Sequence, residues 1–474
     1  MVCYHVDLLE VTLEHVSKCT RIFNMLFLWI FCAASFGVAY GQDVSVFTKG
    51  FDNDGHITKG TIVTYPKDIT NFNAKFTSDG KFHVQVPGIY VFHFYALSYT
   101  STDTNLMKLY RNGMYLVSIY DDEQKHNSDA AGNTVILQLE TGDTVYVQAL
   151  DNFSFNVYGR VAEIYATFTG GLIFSGRSSA SNPVAMTAGL TQDVSLPNGG
   201  TVVFNKVFTN LGNGYDSTTG YFVAPTDGVF LIHYFARSQS GHKIFLDLYK
   251  NTMYVNSAWG QLQHLANAGN SAILDMRTGD TLSIRGRSGD AVALSGQPTA
   301  VYCTFSILKL SEQNTAPSGL HANQIQAFSA VLTKKQNEGR HTTKVIWDKL
   351  YSNHGGNFNM STGIFTASVP GVYIFSYHAL SQEGQPMWLE LYHNYVYVNS
   401  LYGSGHLFSY GSNSAALKLA PGDIVYIDMK NHNTRLFGAA DEIYGSFSGY
   451  LLVPMDGTSI AGNDLLLLQN YSFS

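Results

Sequence analysis

Residues 79–92 read DGKFHVQVPGIYVF, and the same pattern returns as TGYFVAPTDGVFLI at residues 219–232 and as TGIFTASVPGVYIF at residues 362–375. The first copy continues into a strand-like run in which Tyr90 and Phe92 share one face while Val91 and His93 share the other. A period of two that follows a glycine turn predicts a half-buried β-strand. The threefold return of the whole stretch predicts three copies of one structural unit.

Three further landmarks follow this stretch in the same order in every copy. They are the pattern Leu-Tyr-x-Asn at residues 109–112, 248–251 and 391–394, a Gly-Asp pair that ends residues 139–143, 276–280 and 419–423, and a closing strand at residues 166–170, 303–307 and 445–449. The spacing between copies is about 140 residues, which is the length of a whole domain and too long for a solenoid unit. We therefore predict domains at residues 44–174, 184–310 and 326–453, joined by polar linkers and followed by a short tail at residues 454–474. Short alternating strands between glycine, asparagine and aspartate turns predict an all-β sandwich or jelly roll for each domain.

The composition agrees with such a chain and excludes other classes. Of the 474 residues, 14% are aromatic and only 13% are charged, a balance that supports hydrophobic cores and excludes a disordered protein. The formal net charge is −7, from 28 basic and 35 acidic residues, so a basic surface for nucleic acid is not expected.

The beginning of the chain has the layout of a secretory signal peptide. Residues 25–39 are an unbroken run of apolar and small side chains, and Ala39 and Gly41 occupy the small positions before a cleavage site. We predict a signal peptide at residues 1–41, a secreted mature chain that begins near Gln42 and no membrane span within it; an uncleaved signal anchor is the alternative. Translation can start at Met1 or Met25. Cleavage leaves Cys303 as the single cysteine, either a buried small hydrophobe or the partner of an intermolecular bridge.

Taken together, the landmarks resemble the C1q globular-head domain, a member of the C1q/tumour-necrosis-factor jelly-roll superfamily. The resemblance covers all three units, and domain 2 departs most from the pattern because Ile307 replaces a closing glycine. It implies three tandem jelly rolls without a collagen stalk, in which the signature residues are mostly structural. These residues are Gly80, Phe82, Gly88, Tyr90, Phe92, Gly142 and Asp143 in domain 1; Gly220, Phe222, Gly228, Gly279 and Asp280 in domain 2; and Gly363, Phe365, Gly371, Tyr373, Phe375, Gly422 and Asp423 in domain 3.

No constellation of catalytic residues recurs among the three copies, so we expect a protein that is not an enzyme. His93 and His233 occupy equivalent strand positions, but Ser376 stands at the third, which favours packed histidines over metal ligands. No cofactor is expected. The resemblance makes calcium possible, and the acidic residues considered for it, without assignment, are Asp121, Asp122, Glu123, Asp151, Asp441 and Glu442. Candidate glycosylation sites are the sequons that begin at Asn152, Asn359 and Asn470.

Two functions remain open at this point. The first is a multivalent, lectin-like recognition molecule of innate immunity that binds glycans or microbial surfaces, for which residues 266–271 and 408–414 are candidate polar binding loops. The second is a structural protein of extracellular matrix or mucus, whose heads associate with each other.

The resemblance also implies association of the heads around a threefold axis. Three heads in one chain can close as an intramolecular pseudo-trimer, or three chains can form a homotrimer. The first linker, residues 175–183, reaches about 30 Å when extended, which matches the spacing of neighbouring heads. We favour closure within one chain.

Overall fold

The computed structural model describes residues 44–97, 104–122, 130–150, 154–176, 183–261, 265–310, 325–337, 343–405, 407–430 and 433–455. Within these ranges the regular structure consists of β-strands, and no helix occurs. The predicted all-β fold class is confirmed. The predicted signal peptide and residues 456–474 of the predicted tail lie outside the described residues.

The strands fall into three groups, which we call domains 1, 2 and 3. Domain 1 has the strands β1 Val46–Gly50, β2 Gly55–Ile57, β3 Lys67–Phe72, β4 Lys75–Phe76, β5 Phe82–His83, β6 Gly88–Leu97, β7 Thr104–Arg111, β8 Met114–Asp122, β9 Ala130–Leu139, β10 Thr144–Ala149, β11 Phe155–Val157, β12 Gly159–Arg160, β13 Glu163–Ile164 and β14 Thr167–Ser175. Domain 2 has β15 Ala185–Gly189, β16 Val194–Leu196, β17 Lys206–Leu211, β18 Tyr215–Asp216, β19 Tyr221–Val223, β20 Gly228–Arg237, β21 Ile244–Lys250, β22 Met253–Gly260, β23 Asn267–Met276, β24 Thr281–Gly286, β25 Val292–Leu294 and β26 Thr304–Lys309. Domain 3 has β27 Ala327–Val331, β28 Gln336–Asn337, β29 Lys349–His354, β30 Phe358–Asn359, β31 Ile364–Thr366, β32 Gly371–Leu380, β33 Met387–His393, β34 Val396–Gly403, β35 Tyr410–Leu419, β36 Ile424–Met429, β37 Arg435–Leu436 and β38 Ser446–Pro454.

Each domain is a sandwich of two antiparallel sheets. The inner sheet has the strand order β1-β14-β6-β9 in domain 1, β17-β15-β26-β20-β23 in domain 2 and β29-β27-β38-β32-β35 in domain 3. The outer sheets have the orders β4-β5-β10-β7-β8, β18-β19-β24-β21-β22 and β30-β31-β36-β33-β34. The first and last strands of a domain, such as β1 and β14, are neighbours in the inner sheet although they are far apart in the sequence.

The strand quoted first in the sequence, β6, has two buried faces. Tyr90, Phe92 and Phe94 point into the core between the two sheets of domain 1. The opposite face, which carries Val91 and His93, is equally buried. In an isolated two-sheet sandwich this outward face would be exposed to solvent. The same double burial holds for β20 and β32. A second buried face on the inner sheet requires a partner outside the domain.

The partner of each inner sheet is provided by the other two domains. The described residues of all three domains belong to one compact unit, and a hydrophobic cluster joins residues of all three inner sheets. Its centre contains Val91 from domain 1, Leu231 from domain 2 and Ile374 from domain 3, each at most 1% exposed. The three domains thus share an interdomain core within one chain, as the single-chain alternative of the sequence analysis expected.

Candidate ligand-binding surface and domain junctions

The three domains contact one another through junctions that repeat in cyclic order. The backbone N–H of Val301 in domain 2 donates a 2.6 Å hydrogen bond to the hydroxyl of Tyr115 in domain 1. The equivalent bonds run from Ile443 of domain 3 to Tyr254 of domain 2, at 2.8 Å, and from Ile164 of domain 1 to Tyr397 of domain 3, at 2.6 Å. Because the third bond returns to domain 1, the head-to-tail contact closes into a ring.

A second set of buried polar contacts follows the same order. Asn133 of domain 1 accepts a hydrogen bond from the Thr304 hydroxyl of domain 2, at 2.5 Å. The matching pairs are Asn270 with Ser446, at 2.7 Å, and Asn413 with Thr167, at 2.6 Å. Each amide group also donates to backbone carbonyls of the neighbouring domain. Buried amides that are fully bonded specify the register between domains.

These contacts correct the prediction that residues 266–271 and 408–414 are binding loops. Strands β23 and β35 begin at Asn267 and Tyr410, and Asn270 and Asn413 are completely buried. The stretches are rich in asparagine and serine because their side chains bond the next domain, although such a composition resembles that of a solvent-exposed loop.

The side of the outer sheets that faces away from the sandwich cores carries a row of aromatic side chains, which we call the outer tyrosine ladder. In domain 1 it comprises Tyr115, Tyr110 and Tyr146, and in domain 3 it comprises Tyr397, Tyr392 and Tyr426. The rings of Tyr110 and Tyr146 are stacked with their centres 5.5 Å apart, and those of Tyr392 and Tyr426 are stacked at the same distance. The ladder arises from cross-strand register, since Tyr146 pairs with Tyr110 on adjacent strands.

Domain 2 has a modified ladder. Ser283 pairs with Tyr249 where the other domains have a tyrosine, and the guanidinium of Arg285 lies 4.7 Å from the centre of the Tyr249 ring. Cations also cover the ladders of the other domains: the ammonium of Lys81 lies 5.7 Å from Tyr146, and that of Lys344 lies 4.3 Å from Tyr426. Each ladder is therefore an aromatic surface with a hydrogen-bond-donating cation beside it.

The rings of the ladder differ in exposure: Tyr146 and Tyr426 are only 8% and 3% exposed, and other rings are more accessible. Tyr110, Tyr249 and Tyr392 are half-buried, and Tyr395, beside Tyr426 in domain 3, is 75% exposed. Burial raises the pKa of Tyr426 to about 12, so its hydroxyl keeps its proton at physiological pH. The ladder is not among the features predicted from the sequence, because Leu-Tyr-x-Asn was interpreted as a purely structural landmark. The signal for it was the tyrosine of this landmark, which is repeated in all three copies.

The asparagine of this landmark and the signature aspartate form a clasp in each domain. Asn112 donates to Asp143 at 2.6 Å, Asn251 to Asp280 at 2.9 Å and Asn394 to Asp423 at 2.7 Å. All three asparagines have a positive φ, between 47° and 55°, which asparagine tolerates better than most residues. The amide of Asn251 and the backbone N–H of Arg277 lower the pKa of Asp280 to about 2. The clasp fixes the hairpin that carries the ladder.

The other signature residues lie at structural positions. The aromatic ones are buried in the three sandwich cores and are at most 1% exposed; they are Phe82, Tyr90, Phe92, Phe222, Phe365, Tyr373 and Phe375. The turn glycines have φ between 69° and 92° and are Gly80, Gly142, Gly220, Gly279, Gly363 and Gly422. Gly88, Gly228 and Gly371 begin the central strands. A Cβ atom at Gly88 or Gly371 would collide with the backbone of the neighbouring strand, and one at Gly228 would meet the flexible Lys309 side chain.

The glycosylation and calcium candidates are placed in part. Asn359 is exposed in β30 and remains a predicted glycosylation site, whereas Asn152 and Asn470 lie outside the described residues. Of the acidic candidates, Glu442 lies 3.7 Å from Arg287 of domain 2, which also donates to the backbone carbonyl of Asp441. The guanidinium of Arg287 therefore already provides a positive charge beside Asp441 and Glu442. The side chains of Asp121, Asp122, Glu123 and Asp151 are not described.

Among the described residues, no group of three or more histidine, cysteine, aspartate and glutamate side chains is arranged to hold a metal ion. Cys303 is completely buried, as the first of its two interpretations expected, and burial raises the pKa of its thiol to about 12. Its sulfur lies 3.3 Å from the Ser295 carbonyl oxygen.

The family model of the C1q domain matches the chain three times, at residues 46–173, 185–306 and 327–452. The chain belongs to the C1q domain family. Mouse collagen alpha-1(X) chain is 29% identical over 144 residues, which cover 30% of this chain and 21% of that relative, so about a fifth of the relative's length is matched.

Two solved structures are also similar to this C1q-domain protein. The globular domain of zebrafish complement 1qA protein is 26% identical and covers 27% of this chain and 99% of its own, with a TM-score of 0.24. The structure of Eiger TNF from S. frugiperda is 16% identical and covers 30% of this chain and 99% of its own, with a TM-score of 0.25. The predicted jelly-roll fold is confirmed by the family match and the strand order. The described residues contain no helix that is long and apolar enough to cross a membrane.

Proposed function

We propose that this C1q-domain protein is a secreted, non-enzymatic recognition molecule that binds glycans of microbial surfaces through its outer tyrosine ladders. The observation that carries the proposal is the return of an aromatic surface with an adjacent cation on all three outer sheets. The absence of a repeated reactive side chain in the sequence supports a binding role over a catalytic one.

The chemistry of the ladder suits a sugar. The apolar C–H face of a pyranose packs against an aromatic ring, and its hydroxyls accept hydrogen bonds from neighbouring ammonium and guanidinium groups. Tyrosine provides such contact area with little loss of conformational entropy. A single ladder offers a shallow surface and hence weak binding. Three ladders on one compact unit raise the apparent affinity for a repetitive surface by about 10²–10⁴ when they engage together.

Substitution of alanine for both Tyr110 and Tyr392 is expected to weaken binding to a glycan array and to whole bacteria by at least about tenfold. The reason is the loss of the stacked ring, worth about 1–1.5 kcal/mol, in two of the three heads. The matched control is Val161→Ala, which removes a side chain that is 74% exposed and lies outside the ladder. Unchanged binding in a folded double variant would exclude the ladder as the binding surface.

The structural alternative, a matrix or mucus protein with self-associating heads, is favoured by a different feature. The tips of the hairpins β7–β8, β21–β22 and β33–β34 carry exposed apolar side chains at equivalent positions, Met114, Met253 and Val396, each at least 60% exposed. Three apolar tips on one unit are suited to contacts between molecules.

Light scattering of the secreted protein separates these two functions and checks its assembly. We expect the mass of one chain at all concentrations, because the interdomain core is completed within the chain. Sequencing of the same material should give a first residue near Gln42. A mass near three chains would contradict closure within one chain, and a mass that rises with concentration and falls again in Met114→Ser would favour the matrix function.

A further inference from the structure

Three histidines meet where the three central strands approach one another. His93 on β6 and His233 on β20 are equivalent in the repeat, and their ring centres are 5.1 Å apart. The third histidine is His378 on β32, one layer further along that strand than the equivalent Ser376, and its ring centre is 6.2 Å from that of His233. Each domain therefore contributes one imidazole. We call these three residues the axial histidines.

The axial histidines are buried with few hydrogen-bond partners. They are at most 2% exposed. The Nδ1 atom of His93 lies 2.8 Å from the Thr134 hydroxyl, and that of His378 lies 3.0 Å from the Tyr410 hydroxyl. Among the residues that the structure describes, the Nε2 atoms of His93 and His378 and both ring nitrogens of His233 find no hydrogen-bond partner. Unpaired polar atoms in a buried interdomain core are costly, and each of them calls for an explanation.

The surroundings favour neutral imidazoles. The titratable side chains near the cluster are Tyr95 of β6, one layer along the same strand face, Tyr410 of β35, and Tyr450 of β38, which lies in the same interdomain core. Arg237 lies two layers beyond His233 on the same face of β20, with its guanidinium 4.0 Å from the Tyr120 ring. No carboxylate of the described residues forms a hydrogen bond or an ion pair with any of the three rings.

We propose that the axial histidines are an acid-sensitive latch, which holds the three heads together at neutral pH and releases them when the imidazoles take up protons. A charge on any of the three rings would be buried at the contact of all three domains, beside two other imidazoles and without a counter-ion. Separation of the heads returns the rings to water. Proton uptake and opening are therefore coupled.

The sign and the size of the effect follow from proton linkage. Burial lowers the pKa of His93 and His378 from 6.5 to about 3, and burial together with the other two imidazoles lowers that of His233 well below 6.5. The opened chain thus binds more protons, and stability that is complete above pH 6.5 is lost as the pH falls toward 3. From pH 7 to pH 5 each imidazole raises the opening constant by about 25-fold, and three raise it by about 10⁴-fold, which equals about 5.5 kcal/mol.

The test compares the pH dependence of stability in single variants of the full mature chain. The sequence itself supplies the replacements: His93→Ser and His233→Ser copy Ser376, and His378→Phe copies the equivalent Phe235. We measure the opening constant by urea denaturation at pH 7 and pH 5. The ratio of the opening constant at pH 5 to that at pH 7 should be about 25-fold smaller in each variant than in the wild type. The control His242→Ser removes an exposed histidine, and the ratio of its opening constants at pH 5 and pH 7 should equal that of the wild type.

Two further measurements use the wild-type chain and do not depend on the folding of any variant. The radius of gyration from solution X-ray scattering should rise between pH 6.5 and pH 5, and a constant value down to pH 4 would overturn the proposal. The rise should be the same with and without EDTA; an effect that EDTA abolishes would assign it to a bound metal ion and reject the latch. A pH dependence that all three histidine variants retain would reject it as well.

Discussion

Replacement of Ile374 by aspartate is expected to open the three-domain unit. Ile374 meets Val91 and Leu231 at the centre of the interdomain core, where it is 1% exposed. Burial of an unpaired carboxylate there would cost about 4 kcal/mol or more, and separation of the domains would return this charge to water. The sandwich core of domain 3 lies on the other face of β32 and does not contain this side chain. The radius of gyration should rise while the far-ultraviolet circular dichroism keeps its strand spectrum.

The matched control for this opening is Val161→Asp. It introduces the same charge at a position that is 74% exposed, so the radius of gyration should not change. If Ile374→Asp were as compact and as stable as the wild type, the cluster of the three inner sheets would not be what holds the domains together.

Substitution of alanine for Gly88 is expected to destabilise domain 1 by about 3 kcal/mol or more. A Cβ atom at this position would lie 2.1 Å from the backbone carbonyl oxygen of Phe174, far inside van der Waals contact. The obstacle is backbone of the paired strand β14, which cannot rotate away as a flexible side chain can. The position is therefore closed to every side chain. In urea denaturation, the loss of stability should appear as a lower urea concentration at the midpoint of unfolding.

Gly286→Ala provides the comparison for this substitution. Its Cβ would meet the flexible Leu196 side chain at 3.3 Å, and Gly286 does not have a positive φ. Its stability should stay within about 1 kcal/mol of the wild type. Equal effects of the two substitutions would show that the close approach of β6 and β14 is not the reason for the signature glycine.

Much of the fold could be predicted because its determinants are local. Alternation in the first quoted stretch identified which side chains of β6 fill the sandwich core, and Tyr90 and Phe92 are indeed completely buried there. Asn112 and Asp143, which are 31 positions apart, were recognised as parts of two separate repeated landmarks, and the structure joins them by a hydrogen bond. Their contact could not be derived from spacing alone, since it depends on how the hairpin returns to strand β10.

The errors and omissions have a common cause. Asn270 and Asn413 were expected in loops because a run of small polar residues is usually solvated, yet they bond the adjacent domain. The histidine comparison stopped at Ser376, because sequence alignment of the copies equates positions within a domain. His378 lies two residues beyond Ser376 on β32, and its ring nevertheless contacts that of His233. Only the packing of the three inner sheets shows this contact.

By itself the sequence determined three repeats, their all-β character, the residues of each sandwich core and the turns that need glycine or asparagine. These properties depend on residues close in the chain or on a period of two, so local physics is sufficient to infer them. Only the tertiary structure decided what covers the second face of each inner sheet, that the ring of junctions closes within one chain, and that one histidine from each domain meets at its centre. These contacts join residues more than 100 positions apart, and their energy depends on the mutual fit of whole domains. No short stretch of the sequence carries a pattern from which this fit between domains can be predicted.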